Sequence, residues 1–337
     1  MADNSMFMGE HPFAEYVRIL GKGKTGSRNL TREEAAEAMR MILAGEVEPV
    51  QLGAFLMLMR HQEESGEELA GFVDAANQLL QLPAETPPID LDWSSYAGKA
   101  RRIPWFLLTT WLLAQNGIRI LLHGAGGHTP GRVYSEETLR RIGLPVAADR
   151  SQMVTQLRDH AFSYVPLTLL LPRLQQILEL KPLLGLRSPV NTFVRLINPA
   201  NAPCSMQGIH HPGYRDYHQQ AALLLGQPRM AVIKGDGGET EWNPDMPNLV
   251  KSVIDGVPQE QEWSALFHRK HVKADMEILD LARLWRGEIH DEYGEGAVVG
   301  TAAIALHTLG RAADQRQALD LARQMWEQRD RQAIGAV

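Results

Sequence analysis

An apolar helical pattern runs through Gln51-Leu52-Gly53-Ala54-Phe55-Leu56-Met57-Leu58-Met59-Arg60. Pro49 stands just ahead of it, where the fixed φ of proline suits the first turn of a helix. Leu52, Phe55 and Met59 recur on one helical face, which predicts that this face is buried.

Further helices flank this segment. Thr31 and Glu34 have the spacing of a capping box, which marks the start of the preceding helix. The following helix carries apolar residues between Leu69 and Ala76, and prolines between Pro83 and Pro88 end the helical pattern. The start of the chain therefore predicts a small helical domain with short connections.

Beyond residue 88, short apolar strands alternate with helices. Ile118–Leu122 and Met230–Ile233 are β-type runs bounded by glycines or turn residues. Helical patterns before and between them are typical of βα units over a mostly parallel sheet. Two further stretches, Pro172–Leu184 and Gly300–Glu327, are also predicted to be helical.

The fold class predicted from these patterns is α/β, with a small helical domain and a larger domain built on a mostly parallel sheet. The helical stretch after Pro172 suits packing against the first helices, which makes the helical domain discontinuous in sequence. The predicted division is a helical domain of residues 1–88 with 172–198 packing back onto it, and an α/β domain of residues 89–171 and 199–337.

Composition narrows the class of protein. The chain has 337 residues, 44% of them hydrophobic, and a net charge of −6, which disfavours binding of polyanions by the whole surface but allows a local basic cleft. The single cysteine, Cys204, excludes an internal disulfide and a cysteine-rich zinc site. No apolar stretch approaches the ~20 residues that span a bilayer. We expect a cytoplasmic protein without membrane contact.

Several short motifs follow one another in a defined order. They are Gly45-Glu46-Val47, the segment 51–60, Gly66-Glu67-Glu68-Leu69-Ala70-Gly71-Phe72, His123-Gly124, Leu184-Gly185-Leu186-Arg187-Ser188, Asn191 and Asn198-Pro199-Ala200. Together they resemble the anthranilate phosphoribosyltransferase family, whose glycosyltransferase fold is also used by pyrimidine nucleoside phosphorylases. The resemblance covers nearly the whole chain. It implies a phosphoribosyl-diphosphate site between the two domains and a homodimer through the helical domain.

The chain departs from this family where phosphate is bound. The family has a glycine-rich loop whose amides wrap diphosphate, whereas Ser94-Ser95-Tyr96-Ala97-Gly98-Lys99-Ala100-Arg101-Arg102 keeps one glycine. Leu122 stands where the family has a lysine before His123-Gly124. These departures predict the loss of anthranilate phosphoribosyl transfer.

The magnesium motif is also altered. The family carries an adjacent Asp-Glu pair, whereas Glu239 and Glu241 are separated here by one residue. Hydrated magnesium needs only one or two carboxylates, so these two residues are the candidate metal ligands and magnesium is the candidate cofactor. The combination of departures looks most like the divergent TrpD2 branch, members of which have been associated with nucleic-acid binding.

Clustered cations are the candidate phosphate contacts. Lys99, Arg101 and Arg102 lie at the expected mouth of the cleft, and a solvated turn is the competing interpretation of this cluster. A second group lies in the glycine-spaced loop after the first helix, and the family resemblance adds further positions. The full candidate set for phosphate or nucleic acid is Lys99, Arg101, Arg102, Lys22, Lys24, Arg28, His123, Gly124, Arg187 and Asn191.

Histidines invite a metal or acid–base interpretation, which the pattern does not support. His210 and His211 are adjacent, so on a strand they face opposite ways, and no acidic residue lies at a helical offset that completes a zinc triad.

The sequence thus predicts a family member with degraded substrate motifs that binds nucleic acid with low sequence specificity. The first alternative is a phosphoribosyltransferase with another acceptor, in which case the partner is a phosphate-bearing small molecule. The second is an interaction protein that uses only its helical surface. A homodimer is expected, because three short helices are not expected to bury six apolar residues among themselves: Leu52, Phe55, Leu56, Met59, Leu69 and Phe72.

Overall fold

The computed structural model describes residues 9–100, 102–127, 129–272 and 277–335. The first part of the described chain is helical, in α1 (Ala14–Gly21), α2 (Arg32–Ala44), α3 (Pro49–Gln62) and α4 (Gly66–Leu79). The predicted capping box of α2 is confirmed, since Thr31 Oγ1 accepts a hydrogen bond from the Glu34 N–H and the Glu34 carboxylate accepts one from the Thr31 N–H. Pro49 occupies the first turn of α3 as predicted.

These helices share one hydrophobic core with later segments of the chain. The core includes residues of α9 (Pro172–Leu178) and α11 (Val190–Phe193), and the Phe193 ring lies 5.4 Å from the Phe72 ring. The six apolar residues from which a dimer was argued are all buried inside this core, and Leu52 is the most exposed of them at 6%. That argument from surplus apolar surface is therefore wrong.

The described strands form a seven-stranded sheet in the order β3-β2-β1-β4-β5-β6-β7. The first five are parallel, and β6 and β7 join antiparallel at one edge. The strands are β1 (Leu91–Ser95), β2 (Ile120–Gly124), β3 (Phe162–Pro166), β4 (Cys204–Ile209), β5 (Arg229–Lys234), β6 (Asn248–Ile254) and β7 (Val257–Trp263). The predicted α/β class with a mostly parallel sheet is confirmed.

The strand order reverses between β1 and β4. Chain segments leave these two strands in opposite directions, so a crevice opens beside their carboxyl ends. The candidate site residues after β1, β2, β4 and β5 all lie at this edge of the sheet.

The remaining helices cover the sheet and connect it to the helical core. Residues 106–114 are buried on every side of α5, which explains why its pattern is apolar without a polar face. No described helix is long and apolar enough to cross a membrane. The helices are α5 (Phe106–Gln115), α6 (Ser135–Arg141), α7 (Arg150–His160), α8 (Leu167–Leu170), α10 (Lys181–Leu184), α12 (Tyr214–Leu224), α13 (Asp280–Arg286), α14 (Glu292–Thr308) and α15 (Gln315–Glu327).

Two stretches predicted as continuous helices are interrupted. The stretch after Pro172 divides into α9 and α10, and Pro182, which has no N–H to donate, lies in the first turn of α10. The last helical stretch divides after α14, where Gly310 takes a φ of +75° and Asp314 caps α15.

Candidate functional site

The turn after β1 holds a carboxylate of the chain itself. Glu239 Oε1 accepts hydrogen bonds from the backbone N–H groups of Ala97 and Gly98, at N–O distances of 2.7 and 2.6 Å. Glu239 is 1% exposed. Successive backbone amides in a turn form a natural anion site. The amides that would otherwise be available to diphosphate are therefore engaged.

Lys99 forms a buried ion pair next to this turn. Its Nζ lies 2.5 Å from Glu241 Oε1, and both side chains are 1% exposed. Glu241 Oε2 accepts the Phe106 N–H at 2.9 Å. Burial raises the pKa of Glu241, while the Lys99 charge and its hydrogen bond oppose this rise. The prediction that Lys99 contacts an external phosphate is wrong, because the ammonium group is enclosed and paired within the protein.

The loop after β2 closes over the same turn. Lys99 and Val133 exchange both backbone hydrogen bonds, at 2.9 and 3.0 Å. Arg132 donates from Nη1 to the carbonyl oxygens of Ala97 and Gly98 at 2.9 and 3.0 Å. These contacts hold the turn against the rest of the sheet edge.

Of the two arginines after Lys99, the structure describes only Arg102. Arg102 stacks on the ring of Tyr293 at 3.6 Å and donates to the carbonyl oxygen of His271 at 3.2 Å, so its guanidinium is held against α14. Arg101 lies outside the described residues. The structure thus does not assemble the three predicted cations into one described phosphate site.

The two candidate magnesium ligands are buried and engaged. Glu239 Oε1 receives two amides, and Glu241 receives Lys99 and the Phe106 N–H. Only Glu239 Oε2 has no hydrogen-bond partner among the described residues. Magnesium retains several waters when one or two carboxylates bind it, and two carboxylates that are 1% exposed leave no access for them. No group of three potential ligands is present among the described residues. In this arrangement the residues do not fit the hydrated ion.

His123 belongs to a buried group of polar side chains and does not line an open site. Its Nδ1 lies 2.6 Å from Tyr96 Oη and its Nε2 lies 3.2 Å from an Asp92 carboxylate oxygen. All three side chains are at most 1% exposed. At Gly124, a Cβ atom would lie 2.0 Å from the Ser95 carbonyl oxygen, so glycine serves close strand packing. The structure does not place His123 or Gly124 where a phosphate can reach them.

An open cleft lies beside the closed turn, between α3, the segment around Arg187, and the start of α12. It is open to solvent on one side. Two predicted residues, Arg187 and Asn191, line it. Arg60 joins them from the end of α3 and donates to Tyr214 Oη at 3.1 Å. This is the described site that brings predicted phosphate contacts together.

The cleft is strongly basic. Its positive charge comes from three arginines, and no described aspartate or glutamate lines it. Three histidines also line it, of which His218 is neutral because burial and the Arg195 charge lower its pKa to about 3. Burial lowers the pKa of Arg187, and the charges of Arg132 and Arg60 lower it further. Burial and the charges of Arg187 and Arg132 likewise lower the pKa of Lys181. Cations that repel one another in this way form a site suited to an anion.

The cations of the loop after α1 are on the surface. Lys22 and Lys24 are exposed, and neither forms an ion pair with another described residue. Arg28 is paired with Glu34, at 2.6 Å between Nη1 and a carboxylate oxygen. Within the described residues, no hydrogen bond or ion pair joins this loop to the cleft.

Sequence reasoning left three residues that line the cleft out of the candidate phosphate contacts. Arg60 ends the apolar helical pattern of α3, and a cation at the end of a buried helix was an available signal. His210 and His211 directly follow β4, at the carboxyl edge where parallel sheets bind ligands. Rejecting a metal role for these histidines left their position at this edge of the sheet unconsidered.

Glu64 lies next to the cleft, and its buried carboxyl makes the free energy of unfolding depend on pH. The carboxyl is 1% exposed, and burial raises its pKa to about 7 against the opposing effect of the Arg60 charge. The folded protein therefore keeps a proton that the unfolded chain releases near pH 4.5. Stability attributable to this group is present below that pH and is lost as the pH rises to about 7.

We expect Glu64→Gln to stabilise the protein by roughly 3 kcal/mol at pH 8 and to have little effect at pH 4, because glutamine resembles the protonated acid. Urea unfolding at both pH values measures this difference. The exposed neighbour provides the control, since Glu63→Gln should change stability by less than about 0.5 kcal/mol at either pH. A Glu64→Gln effect that does not depend on pH contradicts the prediction.

Comparisons of sequence place the chain among known proteins. Residues 14–79 match the helical bundle domain of a glycosyl transferase family. An uncharacterized protein of Aquifex aeolicus (strain VF5) is 30% identical over 244 residues, which are 72% of this chain and 73% of that protein. The anthranilate phosphoribosyltransferase of Synechococcus sp. (strain WH7803) is 29% identical over 234 residues, which are 69% of this chain and 67% of that enzyme.

Solved structures share the same fold. Anthranilate phosphoribosyltransferase from Thermus thermophilus has a TM-score of 0.76 at 21% identity, and the match covers 94% of each chain. The enzyme from Saccharomyces cerevisiae in complex with PRPP and Mg has a TM-score of 0.75 at 14% identity, and the match covers 95% of this chain and 94% of that one. Fold, domain match and sequence relatives agree, and the chain belongs to the anthranilate phosphoribosyltransferase-like family of glycosyltransferases.

Proposed function

We propose that the protein binds nucleic acid through the basic cleft, with low sequence specificity, and does not transfer phosphoribosyl groups to anthranilate. The observation that carries the proposal is the lining of the cleft, which has three arginines and no described carboxylate. Placement in the TrpD2 branch, which suggested this function, remains a prediction.

The positive charge also extends beyond the cleft. The charge of Arg132 lowers the pKa of Arg187, and the charge of Arg187 lowers the pKa of Lys181. The charge of Lys234 contributes to the lowered pKa of His210. None of these cations has an ion-pair partner among the described residues. A charge distribution wider than one phosphate suits a ligand with several phosphates. The exposed Lys22 and Lys24 remain proposed as additional contacts.

Loss of the enzymatic reaction is supported by the closed turn. Glu239 occupies the backbone amides, and Lys99 neutralises Glu241. The alternative function, phosphoribosyl transfer to another acceptor, requires both carboxylates to leave these partners before magnesium and diphosphate can bind. The nucleic-acid proposal requires no such rearrangement.

A double variant of the cleft tests nucleic-acid binding. We expect Arg60→Ala with Arg187→Ala to weaken binding of unrelated duplex and single-stranded oligonucleotides alike. The slope of log affinity against log salt should fall by about 0.9 per arginine on duplex DNA and about 0.7 on a single strand. Fluorescence anisotropy at several salt concentrations measures both quantities.

The matched control is Arg316→Ala. Arg316 is an exposed arginine on α15 that does not line the cleft, so its removal should leave the salt slope nearly unchanged. The proposal fails if the parent protein does not bind at low salt, or if the double variant keeps the parent's affinity and slope.

The homodimer implied by the family resemblance also remains a proposal. The six apolar residues first considered are buried, so a dimer would have to use other surface. Exposed apolar residues in and near the helical domain are the candidates: Val50 at 77%, Leu79 at 50%, Leu183 at 83% and Leu186 at 57%.

A further inference from the structure

The cleft changes in character from its mouth to its floor. His210 and His211 are exposed at the mouth, and Arg60 and Arg187 are half-buried. The floor contains His218, which is fully buried, and Ser188, which is 5% exposed. A ligand that fits this gradient has its anionic part outside and a neutral polar part inside.

The floor carries two polar atoms without partners. Ser188 Oγ and His218 Nε2 are buried and have no hydrogen-bond partner among the described residues. Buried polar atoms in native proteins are nearly always paired, so each unpaired one needs an explanation. A ligand that enters the cleft explains both, because both residues line it.

The hydrogen bond at His218 Nδ1 determines whether Nε2 is a donor or an acceptor. Gln207 directs Oε1 at His218 Nδ1, 2.8 Å away, and its Nε2 toward Ser205 Oγ. Nδ1 therefore carries the proton, and its N–H donates a hydrogen bond to Gln207 Oε1. Burial and the nearby Arg195 lower the pKa of His218 to about 3, so the ring is neutral. His218 Nε2 is then a bare acceptor that pairs only with an O–H or N–H donor.

A phosphate dianion has no such donor, so phosphate alone does not complete the floor. A sugar hydroxyl donates a hydrogen bond and also accepts one, which suits His218 Nε2 and Ser188 Oγ together. In nucleic acids, neighbouring free hydroxyls occur on the last ribose of an RNA strand, whose 5′ side carries the phosphate. Because Ser188 and His218 are buried at the floor of the cleft, the end of a strand can reach them and a duplex cannot.

We propose that the cleft binds the 3′-terminal ribonucleotide of an RNA strand, with the hydroxyls of the terminal ribose at Ser188 and His218 and the adjoining phosphate at Arg60 and Arg187. The inference rests on the proposed function, since it names the nucleic acid and the part of it that the same cleft binds. It separates two roles within the cleft. The arginines provide affinity for any strand, and the floor distinguishes strand ends.

Strand-end chemistry tests the proposal directly. We would measure anisotropy with 5′-labelled single strands of about 12 nucleotides in four forms: RNA with free 2′- and 3′-hydroxyls, RNA ending in a 2′,3′-dideoxynucleotide, RNA with a 3′-phosphate, and DNA of the same sequence. RNA with free hydroxyls should bind about tenfold more tightly than each of the others, as expected for two hydrogen bonds of ordinary net strength.

Two floor variants connect this difference to the cleft. His218→Phe removes the acceptor and should abolish the tenfold preference while leaving the salt slope unchanged. Ser188→Ala should reduce the preference about threefold. Because Ser188 Oγ has no protein partner to lose among the described residues, this variant keeps the test valid if His218→Phe fails to fold.

The outcomes separate this inference from the proposed function. Equal binding of free and blocked RNA overturns the strand-end inference and leaves nucleic-acid binding in place. Absence of binding to every strand overturns both. Displacement of RNA by equimolar ribose 5-phosphate, with inorganic phosphate as the control competitor, overturns the strand-end inference in favour of a free sugar phosphate.

Discussion

Replacement of Lys99 by methionine is expected to lower the free energy of unfolding by about 3–5 kcal/mol. The side chain is 1% exposed and its Nζ contacts Glu241, which is equally buried. Removing the lysine leaves Glu241 as a buried carboxylate whose charge has lost its nearest partner. Burial already raises the pKa of Glu241 against the influence of Lys99, so the variant raises this pKa further. The loss should therefore be largest at high pH and should shrink as the pH falls and the carboxyl takes up a proton.

The paired variant and a surface lysine provide the controls. Adding Glu241→Gln to Lys99→Met should restore most of the stability, because glutamine is neutral and still accepts the Phe106 N–H. Lys251→Met removes a lysine that contacts two carboxylates at the surface, and should cost no more than about 1 kcal/mol. Urea unfolding of the four proteins measures these differences. A Lys99→Met effect as small as that of Lys251→Met contradicts a buried, structural role for this lysine.

Much of the fold was predictable because its helices and strands are determined by residues close together in sequence. The capping box at Thr31 and Glu34, and Pro49 ahead of α3, are interactions between residues close in sequence. The strands around Leu122 and Val232 were visible as short apolar runs between turn residues. The division of the last helical stretch was missed because an alanine-rich pattern continues across Gly310, where the backbone reverses.

The candidate site was less predictable because its contacts join residues far apart in sequence. Lys99 and Glu241 are 142 positions apart, and no local pattern shows that a lysine at a turn points inward to a carboxylate. The same holds for Glu239 and the amide of Ala97. By contrast, Arg187 and Asn191 were found through a family motif, and the structure places both at the cleft. The motif that contains His123 and Gly124 gave no such success, because both residues are buried in contacts with neighbouring strands.

The protein is expected to show no transfer of phosphoribosyl groups to anthranilate above the uncatalysed background. Such transfer depends on preorganised donors and metal that stabilise diphosphate as it leaves, and loss of one such donor typically costs about 10²–10³ in rate. Here the Ala97 and Gly98 amides bind Glu239, and Glu241 binds Lys99. Incubation with phosphoribosyl diphosphate, magnesium and anthranilate, followed by anthranilate fluorescence, measures transfer, with the Thermus thermophilus enzyme as positive control. Turnover at an ordinary enzymatic rate would show that substrate displaces Glu239 from the turn, and the closed turn would then be a resting state rather than a lost site.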